Sequence, residues 1–247
     1  NKENFKSIYE ADFNNDGKID YLVNLSHPKS KNENHIVKIL IENDYKNTLL
    51  IVSNTKGYKI LNPGSNKIYD IISAKLICHK NQNLIKLLSF KNYIKNRNDL
   101  LQYDTLMIKN NELTEFTKSI KNHHIEKIIF TQNGGFAPGK IYDLTLKNDS
   151  TILRSYFYKD FRGKYVGINK SSFKNLSENF NDIDFTNLKN HYSIECSDCS
   201  SVETVIIFDN GKTKKIYDYG EKGTLGLLKF YKKIDTIISK QKWEKIN

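Results

Sequence analysis

From residue 5 to about residue 117 the chain is a succession of short apolar runs, each cut off by a cluster of Asn, Lys, Gly or Asp. Runs this brief, rich in Ile, Val, Leu and Tyr, cannot carry a helix of several turns and read as β-strands. Ile19, Tyr21, Val23 and Leu25 alternate with their neighbours in the manner of a half-buried strand. Further strands are expected over residues 36–41, 48–52, 58–61, 68–77, 84–90 and 101–108. Asn110 and Asn111, between the last of these and a run at 113–116, suit a tight hairpin because Asn tolerates positive φ. The first half of the chain is therefore expected to be all-β.

The pattern changes after the polar stretch at 118–124, which places a domain boundary between residues 1–120 and 121–247. Strands are expected at 125–131, 140–146, 151–158 and 164–168, with turns at Asn148 and Asp149 and at Arg162 and Gly163. Phe173, Leu176, Phe180 and Ile183 then recur at helical spacing, with Ser171 or Ser172 as the N-cap. Asp209, Asn210, Gly211 and Lys212 separate runs at 202–208 and 213–219, the strongest hairpin signal in the chain, since Asn-Gly fits a type I′ turn. Leu225, Leu228, Tyr231, Ile234 and Ile238 form the apolar stripe of a terminal helix whose Lys229, Lys232, Lys233 and Lys240 face outward.

A chain of 247 residues can build one large or two small domains, and its 15 Tyr and 13 Phe argue against disorder. No run of about 18 apolar residues is present, so no helical membrane span is expected. Lys and Arg outnumber Asp and Glu by 39 to 28, a net charge of +11 that favours anionic partners in general. The lysines are scattered, often beside Asn as at 29–34 and 91–98, which reads as a solvated surface rather than a specific nucleic-acid site. Cys78, Cys196 and Cys199 are the three thiols. The Cys196, Cys199 pair lacks a second knuckle, and a zinc ligand pair, a local disulfide and two free thiols stay open for it. A β-branched run rather than a helix follows it, which argues against thioredoxin-like chemistry. The chain begins at Asn1 rather than Met, which fits an exported protein, periplasmic or at the cell surface, whose targeting segment or lipid anchor lies outside the given chain.

One segment carries recognisable metal chemistry. Asp12, Asn14, Asp16 and Asp20 occupy positions 1, 3, 5 and 9 of a nine-residue stretch with Gly17 at position 6 and Lys18 at position 7. Calcium is a hard cation that takes about six to eight oxygen ligands, and alternating Asx residues wrap it while Gly allows the sharp turn. The side chains of Asp12, Asn14, Asp16 and Asp20 and the backbone carbonyl of Lys18 are the expected ligands, and Ca²⁺ is the expected cofactor. An EF-hand would require Glu at position 12, where Val23 stands. The stretch 10–23 instead resembles the calcium loop of FG-GAP and related VCBS-type propeller repeats, where one strand enters the loop and another leaves it. The resemblance implies a structural ion clamping strands at 5–11 and 19–25. A single such loop does not imply a complete propeller. The fold class is then α+β: a mostly antiparallel β domain with a calcium loop, followed by an antiparallel sheet with two helices.

The second half resembles a bacterial family catalogued as domain of unknown function 6438. The matching stretches are Gly134, Gly135, Phe136, Ala137, Pro138, Gly139, Lys140, Ile141 and Tyr142; then Phe173, Leu176, Phe180, Asp184, Phe185, Leu188 and Tyr192; and Asn210 to Lys212 through Tyr217, Asp218, Tyr219 and Gly220. The resemblance covers about residues 125–243 and implies a fold and an exported setting rather than a reaction. Where the family commonly carries two cysteines around 135–139, this chain has glycine.

Other motifs read as structural. The 134–139 loop lacks the Lys-Ser/Thr of a phosphate loop, and His123 and His124 read as linker. Asp182 and Asp184 suit turn or capping roles, and Tyr156, Phe157, Tyr158, Phe161 and Tyr165 suit a half-buried strand. No catalytic or cofactor-binding constellation stands out. The expected function is an exported, calcium-stabilised, non-catalytic binding or accessory protein acting on a protein or glycan at the cell envelope. The competing readings are a hydrolase assembled from distant loops and a polyanion- or glycan-binding module.

Overall fold

The structure, a computed structural model, describes residues 6–26, 45–64, 68–90, 101–118, 121–135, 139–158, 161–167, 170–194 and 196–246. The chain divides into two compact units, Asn1–Phe116 and Thr117–Asn247. The strand expected at 36–41 lies outside the described residues.

The first unit holds two four-stranded antiparallel meanders in succession: β1 (Ile8–Ala11), β2 (Asp20–Ser26), β3 (Tyr45–Asn54) and β4 (Gly57–Leu61), then β5 (Asp70–His79), β6 (Gln82–Phe90), β7 (Leu101–Lys109) and β8 (Glu112–Glu115). Within each meander every strand pairs antiparallel with the next, and the β5–β6 and β7–β8 connections are tight two-residue turns. Lys80 and Asn81 have φ of 48° and 62°, and Asn110 and Asn111 have 53° and 60°, the left-handed pairs that two-residue hairpins require. The second of these is the hairpin expected from the Asn pair.

Leu22, Leu50, Val52, Ala74, Leu84, Ile85, Leu87 and Leu106 form the unit's core. The parity of β2 is the reverse of what its alternation suggests. The buried face carries Asp20, Leu22 and Asn24, while Ile19 and Leu25 are 49% and 39% exposed. Asn24 shows why a polar residue belongs inside. Its Oδ1 accepts from the Ala74 N–H at 2.8 Å and the Thr48 hydroxyl at 3.0 Å, and its Nδ2 donates to the carbonyls of Ala74 at 2.7 Å and Lys6 at 2.8 Å. One amide side chain thus acts as the strand partner that Ala74 of β5 lacks on that edge and ties the two meanders together.

In the second unit one eight-stranded sheet comprises β9 (Ile125–Asn133), β10 (Ile141–Leu146), β11 (Thr151–Tyr158), β12 (Phe161–Gly167), β13 (His191–Ser193), β14 (Ser201–Phe208), β15 (Lys212–Tyr219) and β16 (Glu244–Ile246). Their spatial order is β13-β15-β14-β9-β10-β11-β12-β16. Helices α1 (Lys170–Asp182) and α2 (Leu225–Lys240) share one hydrophobic core with the sheet. Phe180 of α1 meets Phe230 of α2 with ring centroids 4.3 Å apart, and Phe130 of β9 lies 5.8 Å from Phe230 and 5.9 Å from Tyr142. Where α2 passes Ile183, a Cβ on Gly226 would overlap the isoleucine side chain, so glycine sets how closely the helix can approach.

The α+β class holds, with corrections in detail. β13 pairs with β15 in parallel, so the second sheet is not wholly antiparallel. β13 and β16, three residues each, carry no apolar alternation and form the two edges, where short strands leave little unpaired backbone. Helix α1 begins at Lys170, so Ser171 and Ser172 lie inside its first turn instead of capping it. Arg162 and Gly163 lie within β12 rather than in a turn; Gly163, at φ 114°, sits at a register irregularity opposite Ser155. Among the described residues no helix is long and apolar enough to cross a membrane.

Replacing Asn24 by Ala leaves the buried Ala74 N–H and C=O without their partner, and each such group costs about 1–3 kcal/mol. A loss of about 3 kcal/mol is expected in the hydrogen-exchange protection of β2 and β5. Unchanged protection would contradict the stitching role.

Candidate functional site

The loop between β1 and β2 turns twice through left-handed backbone, at Asn15 (φ 59°) and Gly17 (φ 81°). These turns fold its oxygen-bearing side chains back over its own amides. The Asp12 carboxylate accepts from the Asp16 N–H at 3.1 Å through Oδ1 and from the Gly17 N–H at 2.8 Å through Oδ2. Asn14 Oδ1 accepts from the Asp16 N–H at 3.1 Å, and Asp16 Oδ1 from the Lys18 N–H at 2.9 Å. Phe13, 1% exposed, points into the unit and anchors the loop from beneath.

Asp20 closes the arrangement. Its carboxyl group is fully buried, with Oδ2 accepting from the Phe13 N–H and Oδ1 from the Ser53 N–H, each at 2.8 Å. Ser53 of β3 reaches further. Its hydroxyl lies 2.8 Å and 3.0 Å from the two carboxylate oxygens of Asp16 and 3.0 Å from Asp20 Oδ1, and its carbonyl accepts from Asn14 Nδ2 at 3.1 Å. The Ser53 hydroxyl holds the Asp16 carboxyl below the usual carboxylate range, helped by the Lys18 N–H against a burial effect of opposite sign. Asn83 of β6 donates to the Asp12 carbonyl at 2.8 Å, which fastens the loop to the second meander as well.

Of the five residues expected to bind metal, Asp12, Asn14, Asp16 and Asp20 share this hydrogen-bonded loop, and Lys18 joins it through its N–H. Among the described residues no group of three or more His, Cys, Asp and Glu side chains stands arranged as a metal cluster. The oxygens are engaged with N–H and O–H donors, while each carboxylate oxygen has room for more than one partner. Ser53 and Asn83 are the residues that sequence reasoning missed. They come from strands 37 residues beyond Asp16 and 71 beyond Asp12, and a lone Ser or Asn in a strand carries no signal of such a role.

A second polar cluster belongs to the other unit. Asp218 of β15 is fully buried, accepting from the N–H groups of Lys222 and Gly223 at 2.9 Å each and from the Tyr231 hydroxyl at 3.0 Å. Burial pushes its carboxyl above the usual range against the pull of these donors, and burial also lifts the Tyr231 phenol well above its ordinary value. Glu221, held at φ 54°, accepts from Gln132 Nε2 at 2.9 Å and the Ser200 hydroxyl at 2.8 Å. Cys196 and Cys199 form a disulfide, and Cys78 is a free, exposed thiol. The Tyr219 hydroxyl braces the disulfide loop by accepting from the Cys199 N–H and donating to the Cys196 carbonyl, each at 3.1 Å. A Cβ on Gly135 would overlap the Asp198 carbonyl, so the glycine at that position lets the two loops meet. These contacts satisfy one another and leave a structural account of the cluster.

His123 is not a solvated linker. Its Nδ1 pairs with Asp209 Oδ2, its ring meets Phe185 and Phe208 edge-on at 5.5 Å and 5.1 Å, and its backbone exchanges hydrogen bonds with the Asn181 side chain. Asp184, at φ 50°, accepts from Thr186 and Asn187, the turn role expected of it.

Residues 126–238, from β9 into α2, match the family model described as domain of unknown function (DUF6438), in keeping with the resemblance seen in the second half of the sequence. No curated protein and no solved structure matches the chain.

His123, followed by the His124 N–H, holds the Asp209 carboxyl below the usual carboxylate range. A carboxyl depressed by folding stabilises above its unfolded pKa and loses that contribution as pH falls through its folded one. Asp209→Asn is expected to lower the melting temperature of the second unit at neutral pH. The gap to wild type closes as the pH drops below the ordinary carboxylate range, which a pH series of melts measures.

Proposed function

We propose that this chain is an exported, calcium-stabilised binding or accessory protein that acts on a protein or glycan at the cell envelope and performs no chemistry of its own. The observation that carries the reading is the β1–β2 loop, whose Asp12, Asn14, Asp16 and Asp20 oxygens are gathered over one short turn and pinned to β3. The donor set fits the ion. Three carboxylates, one amide oxygen and the Lys18 carbonyl are hard oxygen ligands, and the negative charge matches a divalent cation. Asp12, Asn14, Asp16 and Asp20 would hold calcium through their side chains and Lys18 through its carbonyl, and the bound ion would supply structural cross-linking of β1 and β2. The resemblance to FG-GAP and VCBS-type repeats gains support from two consecutive four-stranded meanders, the first of which carries the loop between its first two strands.

Export is supported by the Cys196–Cys199 disulfide, because disulfides persist in oxidising compartments and are rare where thiols are kept reduced.

Thermal melts in calcium chloride and in EGTA test the proposal. Calcium at about 100 times its Kd stabilises by about 2.7 kcal/mol, which shifts a domain of this size by about 5 °C or more. Asp16→Ala is expected to abolish that shift, and coincident wild-type melts would remove calcium from the reading. Separately, alkylation of the folded protein without reductant is expected to label Cys78 and leave Cys196 and Cys199 unlabelled, as intact-mass measurement would show. Labelling of all three would withdraw the argument for an oxidising compartment.

A further inference from the structure

We infer that Ser53 is the positioning residue of the calcium loop, setting the residues at its third, fifth and ninth positions from a strand outside the loop. The inference rests on the calcium reading above. Ser53 touches Asn14, Asp16 and Asp20 together: its carbonyl accepts from the Asn14 amide, its N–H donates to Asp20, and its hydroxyl lies between the Asp16 and Asp20 carboxylates. Ser53 is 2% exposed and Asp20 fully buried, so the hydroxyl meets the Asp20 oxygen with little competition from water, while Asp16 reaches it from the exposed side of the loop.

The hydroxyl has one proton and three oxygens within reach, and it bridges two groups that would otherwise repel each other. Two carboxylates without a shared donor would splay apart, and drawing them back around a cation would cost part of its binding energy. A donor fixed on β3 removes that cost beforehand, in the way outer-shell hydrogen bonds orient the ligands of other metal sites. Anchoring to the Asn14 amide nitrogen leaves Asn14 Oδ1 turned back to the loop, where it accepts from the Asp16 N–H.

Ser53→Ala isolates the hydroxyl, because the backbone N–H and C=O contacts to Asp20 and Asn14 need no side chain. Isothermal titration with calcium chloride alone reads the result. Ser53→Ala is expected to weaken calcium binding by about tenfold, and Ser53→Thr, which restores the hydroxyl, to recover most of it. A purely structural role would lower the melting temperature in EGTA without changing the calcium Kd, and that outcome overturns the inference. Should Ser53→Ala fail to fold, Ser53→Cys keeps the volume with a weaker donor, and a Kd equal to wild type in that variant also overturns it. Absence of calcium uptake by the wild-type protein defeats the calcium reading itself, whereas uptake with equal Kd in wild type and Ser53→Ala defeats only the role of Ser53.

Discussion

A carboxyl group placed where water does not reach must be surrounded by donors, and the first unit is organised by that requirement at Asp20. Burying such a group without partners costs several kcal/mol. Asp20 avoids the penalty by taking the Phe13 N–H on one oxygen and the Ser53 N–H and hydroxyl on the other. The three partners come from the loop and from β3, so satisfying one carboxyl group fixes where the loop ends, where β2 begins and how β3 lies beside both. Four residues along the same strand, Asn24 repeats the device toward β5. The inner face of β2 therefore works mainly as a row of hydrogen-bonding groups, with Leu22 between them as its one apolar anchor.

This arrangement explains what could be read in the chain and what could not. Strand positions, the Asn110 and Asn111 hairpin and the Asn210, Gly211 turn follow from local chemistry, and local chemistry is written in consecutive residues. The spacing of Asp12, Asn14, Asp16 and Asp20 is legible for the same reason. Which face of β2 turns inward is not. The alternation of Ile19, Tyr21, Val23 and Leu25 argues for those side chains, while the donors that make Asp20 and Asn24 the better buried set sit on β3 and β5. Burial of a polar group is decided by its partner, and the partner is distant in sequence. Ser53 and Asn83 were invisible for that reason, and β13 and β16 because three residues carry no period.

The second unit solves a different problem with ordinary means. Its helices cover one face of the sheet, and close-packed aromatic rings from α1, α2, β9 and β10 fill the space between. A buried carboxyl group of that sheet belongs to Asp218, whose donors are two backbone N–H groups of the β15–α2 connection and the Tyr231 hydroxyl of α2. Asp218 thus holds the chain where it leaves the sheet for the helix, and Thr224, accepting from the Leu227 N–H, caps the helix just beyond. His123 and Asp209 fasten the entry to β9 in a comparable way. Asp218 and Tyr231, the buried ionisable pair of this layer, are thus bonded to each other, with the Lys222 and Gly223 N–H groups completing the carboxyl's donors.

The two units differ most in where their stability resides. An aromatic core is complete once the chain has collapsed, and no small ligand is needed to hold it. The β1–β2 loop gathers like charges over a short turn, a geometry that hydrogen bonds to Ser53 and to the loop's own N–H groups hold only in part, because each accepts a fraction of the carboxylates' capacity. The Lys18 ammonium, borne on a long, solvated stem, offsets part of the Asp16 charge, and under the proposed function a divalent cation would answer the remainder. Hydrogen bonds tie the loop to Asp20 at the start of β2, to Ser53 of β3 and to Asn83 of β6, so an ion bound there as proposed would act across both meanders of the unit rather than on the loop alone.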